Sequence, residues 1–211
     1  MRADGSFHAA YKDLEGRTKK LVYDDGDIYV PNTEPVGPVD HVFICMEPSL
    51  GWFARSAEEA RSKVDAGFRN FLFPTEDFIL HFCIRRYLCE STQRYHITDF
   101  CKGAMLVERA GLARIQRYNR WYPLLSEEID LVATSDATIV AVGKVVAQHL
   151  KRQGSRGQQS QHETGRKFKI NSTRWLLRPV AMQCRSTLPQ TLPLEYQRRS
   201  RRAQQGSLSL R

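Results

Sequence analysis

Along residues 1–150 the apolar positions switch between a continuous or alternating pattern and a helical one, and each switch falls at a capping or turn residue. Val42 to Met46 is an unbroken apolar run, as expected of a strand buried on both faces, and Pro48 cannot continue a central strand. Ser56-Ala57-Glu58-Glu59 has the spacing of a capping box and predicts a helix to about Ala66. Thr75 opens a second helix to about Leu88, with Phe78, Phe82 and Ile84 to bury, and Tyr95 to Asp99 reads as a second strand. Helical spacing then runs from Ala104 to about Arg117 and from Pro123 to Ala133, the latter with Leu124, Leu125, Ile129 and Val132 inward. Ala137 to Val142 is a third buried strand, and Gly143 turns it into a helix through Leu150. Strands alternating with helices at these lengths predict βαβ units: an α/β fold, a three-layer α/β/α sandwich with a mainly parallel central sheet.

The flanks differ. Residues 1–40 read as a turn-rich lead-in, with Asp24-Asp25-Gly26-Asp27 joining Leu21-Val22-Tyr23 to Ile28-Tyr29-Val30 in a possible hairpin. Residues 41–150 form the α/β domain, and residues 151–211 a basic, poorly structured or aberrant C-terminal tail.

Charge sharpens this division. The chain carries +9 overall, but residues 1–150 hold 18 lysines and arginines against 21 acids, while residues 151–211 hold 14 against 2. All the excess positive charge lies in the tail, an electrostatic footprint suited to nucleic acid or an acidic surface. With 41% hydrophobic residues in 211, the chain can bury one good core. No run is long enough to span a membrane and the first residues lack a secretory h-region, so an intracellular protein is expected. Five cysteines form no C-x-x-C pair and read as reduced thiols, so neither a metal nor a cofactor is expected. Lys144 follows Gly143, but the rest of a phosphate-loop signature is absent.

The candidate chemistry lies where strands end. Glu47 sits at a strand's C-terminal edge, where open α/β sheets bind ligands, and Pro48 fixes the backbone beside it. Asp99 closes the second strand in the same way, followed by Phe100, Cys101 and Lys102. Lys102, Arg109, Arg114, Arg117 and Arg120 form the only dense cationic segment before the tail, either a stripe that suits phosphates or a solvated helix face.

The sequences Cys45-Met46-Glu47-Pro48-Ser49, Ile97-Thr98-Asp99-Phe100-Cys101-Lys102 and Ile139-Val140-Ala141-Val142-Gly143-Lys144 together resemble the uracil-DNA glycosylase superfamily over about residues 40–150. The resemblance implies a DNA glycosylase that hydrolyses the N-glycosidic bond of a flipped base, with DNA as partner. It implies that Glu47 is the catalytic, water-orienting acid. Met46 would lie against the base, and Phe71, backed by Phe68, would stack on it, with Trp52, Phe53 and Phe73 as competitors. Pro48, Ser49, Lys102, Arg114, Arg117 and Lys144 would meet the DNA backbone. Asp99 stands where uracil-removing members pair an Asn with the base. An ionised carboxylate only accepts hydrogen bonds, which suits an exocyclic amine and points to a modified or mispaired cytosine; a helix-capping role for Asp99 is the alternative.

Two departures stand beside the resemblance. Cys45 replaces a small glycine, and after Leu150 no strand leads into a His-containing loop: His162 lies in a polar run, and Leu176-Leu177-Arg178-Pro179 has no His. The change near residue 151 marks either a divergent member or a slipped reading frame. A non-catalytic DNA-binding module on the same scaffold and a small-molecule nucleoside hydrolase using Glu47 and Asp99 remain as alternatives.

Overall fold

The computed structural model describes residues 5–48, 54–72, 75–104, 114–157 and 170–172. The chain opens on a 20-residue helix, α1 (Gly5–Asp24), not on a hairpin. Tyr11, Leu14, Thr18 and Val22 are its buried residues, spaced three or four apart so that they line one face. The turn signal at Asp24 to Asp27 is real, but it ends a helix. Asp27 N–H donates to Val22 C=O (3.0 Å) and Gly26 N–H to Tyr23 C=O (3.0 Å), with Gly26 at φ 72°, which is a Schellman cap. Short strand β1 (Ile28–Tyr29) then pairs antiparallel with β4 (Gly103–Ala104) rather than with Leu21–Tyr23.

The main sheet contains β2 (Val39–Cys45), β3 (Tyr95–Asp99), β5 (Ala133–Ala141) and β6 (Ile170–Ser172) in the order β3-β2-β5-β6, all neighbours parallel. An α/β fold with a parallel sheet is therefore the architecture. Cys45 lies opposite Asp99, and the pairing runs on past both strand ends through Phe100 N–H to Cys45 C=O (2.9 Å) and Cys101 N–H to Met46 C=O (3.2 Å). Two stretches beyond residue 150 are ordered: residues 151–157 continue the helix that starts at Lys144, and β6 extends the sheet.

Both faces of the sheet are covered. On one face Val42, Ile44, Ile139 and Ala141 join a core with residues of α1, of α4 (Arg114–Val132) and of α5 (Lys144–Gly157). On the other, Phe43, Ile97 and Val140 pack with Ile84 and Cys89. Helix α2 (Ala57–Asp65) forms as its capping box predicts, with Glu59 N–H donating to Ser56 Oγ (3.1 Å), and Ala60 buries against Ile28, Val30 and Ala104. Helix α3 (Thr75–Cys83) passes into a single π-turn, Ile84–Leu88, closed by Cys89 N–H to Ile84 C=O (3.0 Å). The π-turn buries Ile84 while Phe78 (67%) and Phe82 (44%) remain exposed, against the expectation that all three go inward.

Helix α4 begins well before Pro123 and passes straight through it, because Pro123 lies on its exposed side. Of the expected inward set, Leu125, Ile129 and Val132 are buried and Leu124 is half-buried. Residues 105–113 of the expected helix from Ala104 lie outside the described residues, as do Ser49, Trp52, Phe53, Phe73, Arg109, His162 and most of the tail.

Candidate functional site

Glu47 follows Cys45 and Met46 off the end of β2 and turns toward α4. Arg114 donates to its Oε1 from Nε (3.1 Å) and Nη2 (2.7 Å), and the Tyr118 hydroxyl donates to Oε2 (2.5 Å). Both carboxylate oxygens are engaged and only 6% of the side chain is exposed. Tyr118 is in turn fixed by stacking on Phe100, ring centroids 4.2 Å apart, and by the edge of His149. Burial and the Glu47 charge push the Tyr118 hydroxyl far up, so it stays a donor.

Asp99 ends β3 in a different polar shell. Its Oδ2 accepts from Asn32 Nδ2 (2.8 Å) and Asn70 Nδ2 (2.7 Å), and its own N–H donates to Asn32 Oδ1 (3.2 Å). Asn32 and Asn70 are themselves joined by an isolated parallel bridge. With 2% exposure, Asp99 is pushed up to about 6, burial outweighing the pull of Lys102 and the two amides. It therefore changes charge near neutrality. Asp99 caps no described helix, since the next described element is a strand.

The segment after β3 corrects the assignment of Lys102 to DNA. Lys102 is buried (7% exposed), and its Nζ donates to Thr98 Oγ1, to Asp99 C=O (3.0 Å) and to Glu128 Oε2 (2.7 Å). All three ammonium protons are used inside the fold, leaving none for a phosphate. Glu128 also accepts from His96 Nε2 (3.0 Å) and Thr98 Oγ1 (2.8 Å) through Oε1. Burial opposes its ionisation, yet Lys102 and His96 win and hold Glu128 down at about 2. Because Glu128 is a carboxylate, Nε2 of His96 must carry the proton in that bond.

The basic stripe on α4 is neutralised in the same manner. Arg114 takes Glu47, Arg117 takes Asp27 and Gly103 C=O, and Arg120 takes Asp25. Glu47 after β2 and the two aspartates of the turn after α1 thus consume the cations expected to meet DNA. Among the described residues expected to meet the backbone, Lys144 alone stands exposed, as the first residue of α5, and Pro48 is buried. Met46 is 40% exposed at the sheet's edge. Phe68 does not back Phe71: it packs with Ile28, Val30, Ala54 and Ala60 under α2.

Phe71 is held in the left-handed region at φ 67°, a costly conformation for an aromatic residue. His81 explains its persistence: Nε2 lies 2.7 Å from Phe71 C=O, and Nδ1 lies 2.7 Å from the Tyr95 hydroxyl. A carbonyl only accepts, so Nε2 carries the hydrogen of that bond. Reversing the usual order, Phe71→Gly is expected to be more stable than Phe71→Ala by about 1 kcal/mol in urea denaturation, because glycine alone adopts this φ without strain. Equal midpoints would show that the residue relaxes when its ring is removed.

A cleft of about 290 Å³ opens beside β3, the strand at one end of the sheet, and its lining includes Asn70, Phe71, His81, Arg85, Arg94 and Tyr95. Asn70 joins this cleft to Asp99, whereas neither Glu47 nor Asp99 lines it. Glu47 and Asp99 thus close adjacent strands but serve separate sets of partners, Glu47 with α4 and Asp99 with the asparagines. Asn32, Asn70, Tyr118, His81 and Glu128 were not readable as site residues, since each acquires its role from a partner 10 to 71 positions away. Among the described residues no group of His, Cys, Asp and Glu could hold a metal, and no helix is long and apolar enough to cross a membrane. Comparison with protein-family models, with curated proteins and with solved structures finds no match to this chain.

Proposed function

We propose that the chain is a divergent DNA glycosylase of the uracil-DNA glycosylase type, a three-layer α/β/α sandwich that acts inside the cell on a flipped, cytosine-type base. The observation that carries the reading is the hydrogen bond from Asn70 to Asp99, which ties the strained Phe71 platform, one residue on, to the carboxylate at the end of β3. An aromatic face beside a set of fixed donors and acceptors is what a splayed base requires. Asn70, its amide fixed from behind by Asp99, meets the polar edge of the base, and Phe71 supports its ring. Glu47, held by Arg114 and Tyr118, supplies the fixed negative charge that a developing oxocarbenium ion needs.

A second reading, a nucleobase-binding module without catalysis, is favoured by the capture of Glu47. A carboxylate with both oxygens engaged and a side chain 6% exposed must be uncovered before it can orient water.

Incubating the full chain with single-stranded and duplex DNA carrying uracil, cytosine or modified cytosines, followed by alkali, separates the two. Strand cleavage at one modified cytosine, lowered at least a hundredfold in Glu47→Gln, is the expected outcome for an electrostatic role of this size. Asp99→Asn is expected to shift preference toward uracil, because an amide both donates and accepts. DNA bound but never cleaved would leave the binding module as the function.

A further inference from the structure

The cleft beside β3 is distinct from the strand ends that hold Glu47 and Asp99, and two arginines line it. Arg17, Arg114, Arg117 and Arg120 all form ion pairs with acids. Among the described residues, Arg85 and Arg94 form none, and both line this one cleft. Arg85 lies over the Tyr95 ring, 5.0 Å from its centroid, and spends Nη1 on the carbonyls of Glu90 (3.2 Å) and Gln93 (2.7 Å), so its charge is positioned but not neutralised. Arg94 is anchored through its backbone, its N–H donating to Asp40 Oδ2 (2.7 Å), which leaves the guanidinium to the cleft mouth. Its Nη1 stands 3.6 Å from where a Cβ would sit on Gly37, whose φ of 148° suits glycine. Glu34 also lines the cleft, but its carboxylate is directed to His8 (2.7 Å) and Lys12 (4.0 Å).

We propose that this cleft binds a nucleoside monophosphate unit, the base against Phe71 and Asn70 and the phosphate on Arg94 with Arg85 behind it. The identity of the ring rests on the nucleobase reading above, while the anion half stands on the two arginines. A volume of about 290 Å³ lies at the small end of ligand sites and suits one ring with its sugar and phosphate. Arginine is the side chain best matched to phosphate, through its planar array of donors.

Binding to the full chain at low salt tests this with four probes: deoxycytidine monophosphate, deoxycytidine, ribose 5-phosphate and a pentanucleotide with one central cytosine. Deoxycytidine monophosphate is expected to bind about tenfold or more tighter than deoxycytidine, and Arg94→Gln to erase that difference. Arg94 is exposed, so the variant is expected to fold, which its thermal unfolding checks. A pentanucleotide that binds more tightly than the free nucleotide assigns the unit to a DNA strand; the reverse order assigns it to a free nucleotide. If deoxycytidine binds as well as its monophosphate, the anion half is overturned and the nucleobase reading survives. If ribose 5-phosphate matches deoxycytidine monophosphate, the nucleotide assignment is overturned together with the stacking role of Phe71. Absence of binding by all four probes overturns the proposal.

Discussion

Glu128→Gln is expected to lower stability by about 3–5 kcal/mol, the cost of breaking a buried pair from one side. The Lys102 ammonium would then lie buried with no carboxylate, and His96 Nε2–H and Thr98 Oγ1 would lose their charged acceptor. For a chain of this size that corresponds to a fall in the unfolding midpoint of roughly 10 °C. Replacing both partners, Lys102→Met with Glu128→Leu, should restore much of the loss, because apolar side chains carry no desolvation cost. Denaturant unfolding of Lys102→Met alone, Glu128→Leu alone and the double variant gives the coupling directly. A double variant as unstable as the sum of the singles would mean that the cluster acts through Thr98 and His96 rather than through the charge pair. The cluster also adjoins Asp99, since Lys102 donates to its carbonyl and Thr98 is its chain neighbour. On the glycosylase reading proposed above, variants that fold should therefore show weakened base discrimination before any loss of DNA affinity.

Stability is expected to fall by about 3 kcal/mol as pH rises from about 4 to about 7, and this fall should be missing from Asp99→Asn. Burial raises Asp99 from its ordinary 3.8 to about 6 against the pull of Lys102, Asn32 and Asn70. The folded chain then keeps a proton that the unfolded chain has released. This contribution is fully present below 3.8 and is lost as pH rises through about 6. Glu128 runs the other way: lowered from 4.5 to about 2, its contribution is present above 4.5 and is lost as pH falls through about 2. Between about pH 4.5 and 7 the Asp99 contribution therefore governs the difference between the two proteins. An Asn at position 99 keeps a carbonyl oxygen for both amide donors, so the comparison isolates the charge. Urea titrations at half-unit pH steps decide it, and parallel stability curves for the two proteins would contradict a raised pKa at Asp99.

The β-strands that build the sheet were legible because each is a short apolar run bounded by a stop: Val42 to Met46 by Pro48, Tyr95 to Asp99 by its acid, Ala137 to Val142 by Gly143. Capping made α2 readable to within a residue. Helix α1 is not legible in the same way, because an Asp-Gly turn suits a hairpin loop and a Schellman cap equally well. Local chemistry fixes that the chain turns there, and only the buried stripe of Tyr11, Leu14, Thr18 and Val22 against α4 decides from what.

By itself, then, the sequence determined the alternation of strands and helices, the placing of Glu47 and Asp99 at the ends of neighbouring strands, and the concentration of positive charge beyond residue 150. Tertiary structure alone decided the partners: Arg114 and Tyr118 for Glu47, Asn32 and Asn70 for Asp99, Glu128 for Lys102. Periodicity and turn chemistry act over a few residues and leave their mark in order. A buried charge must instead find its counter-charge across the fold, and the cost of leaving it unpaired selects that partner from anywhere in the chain.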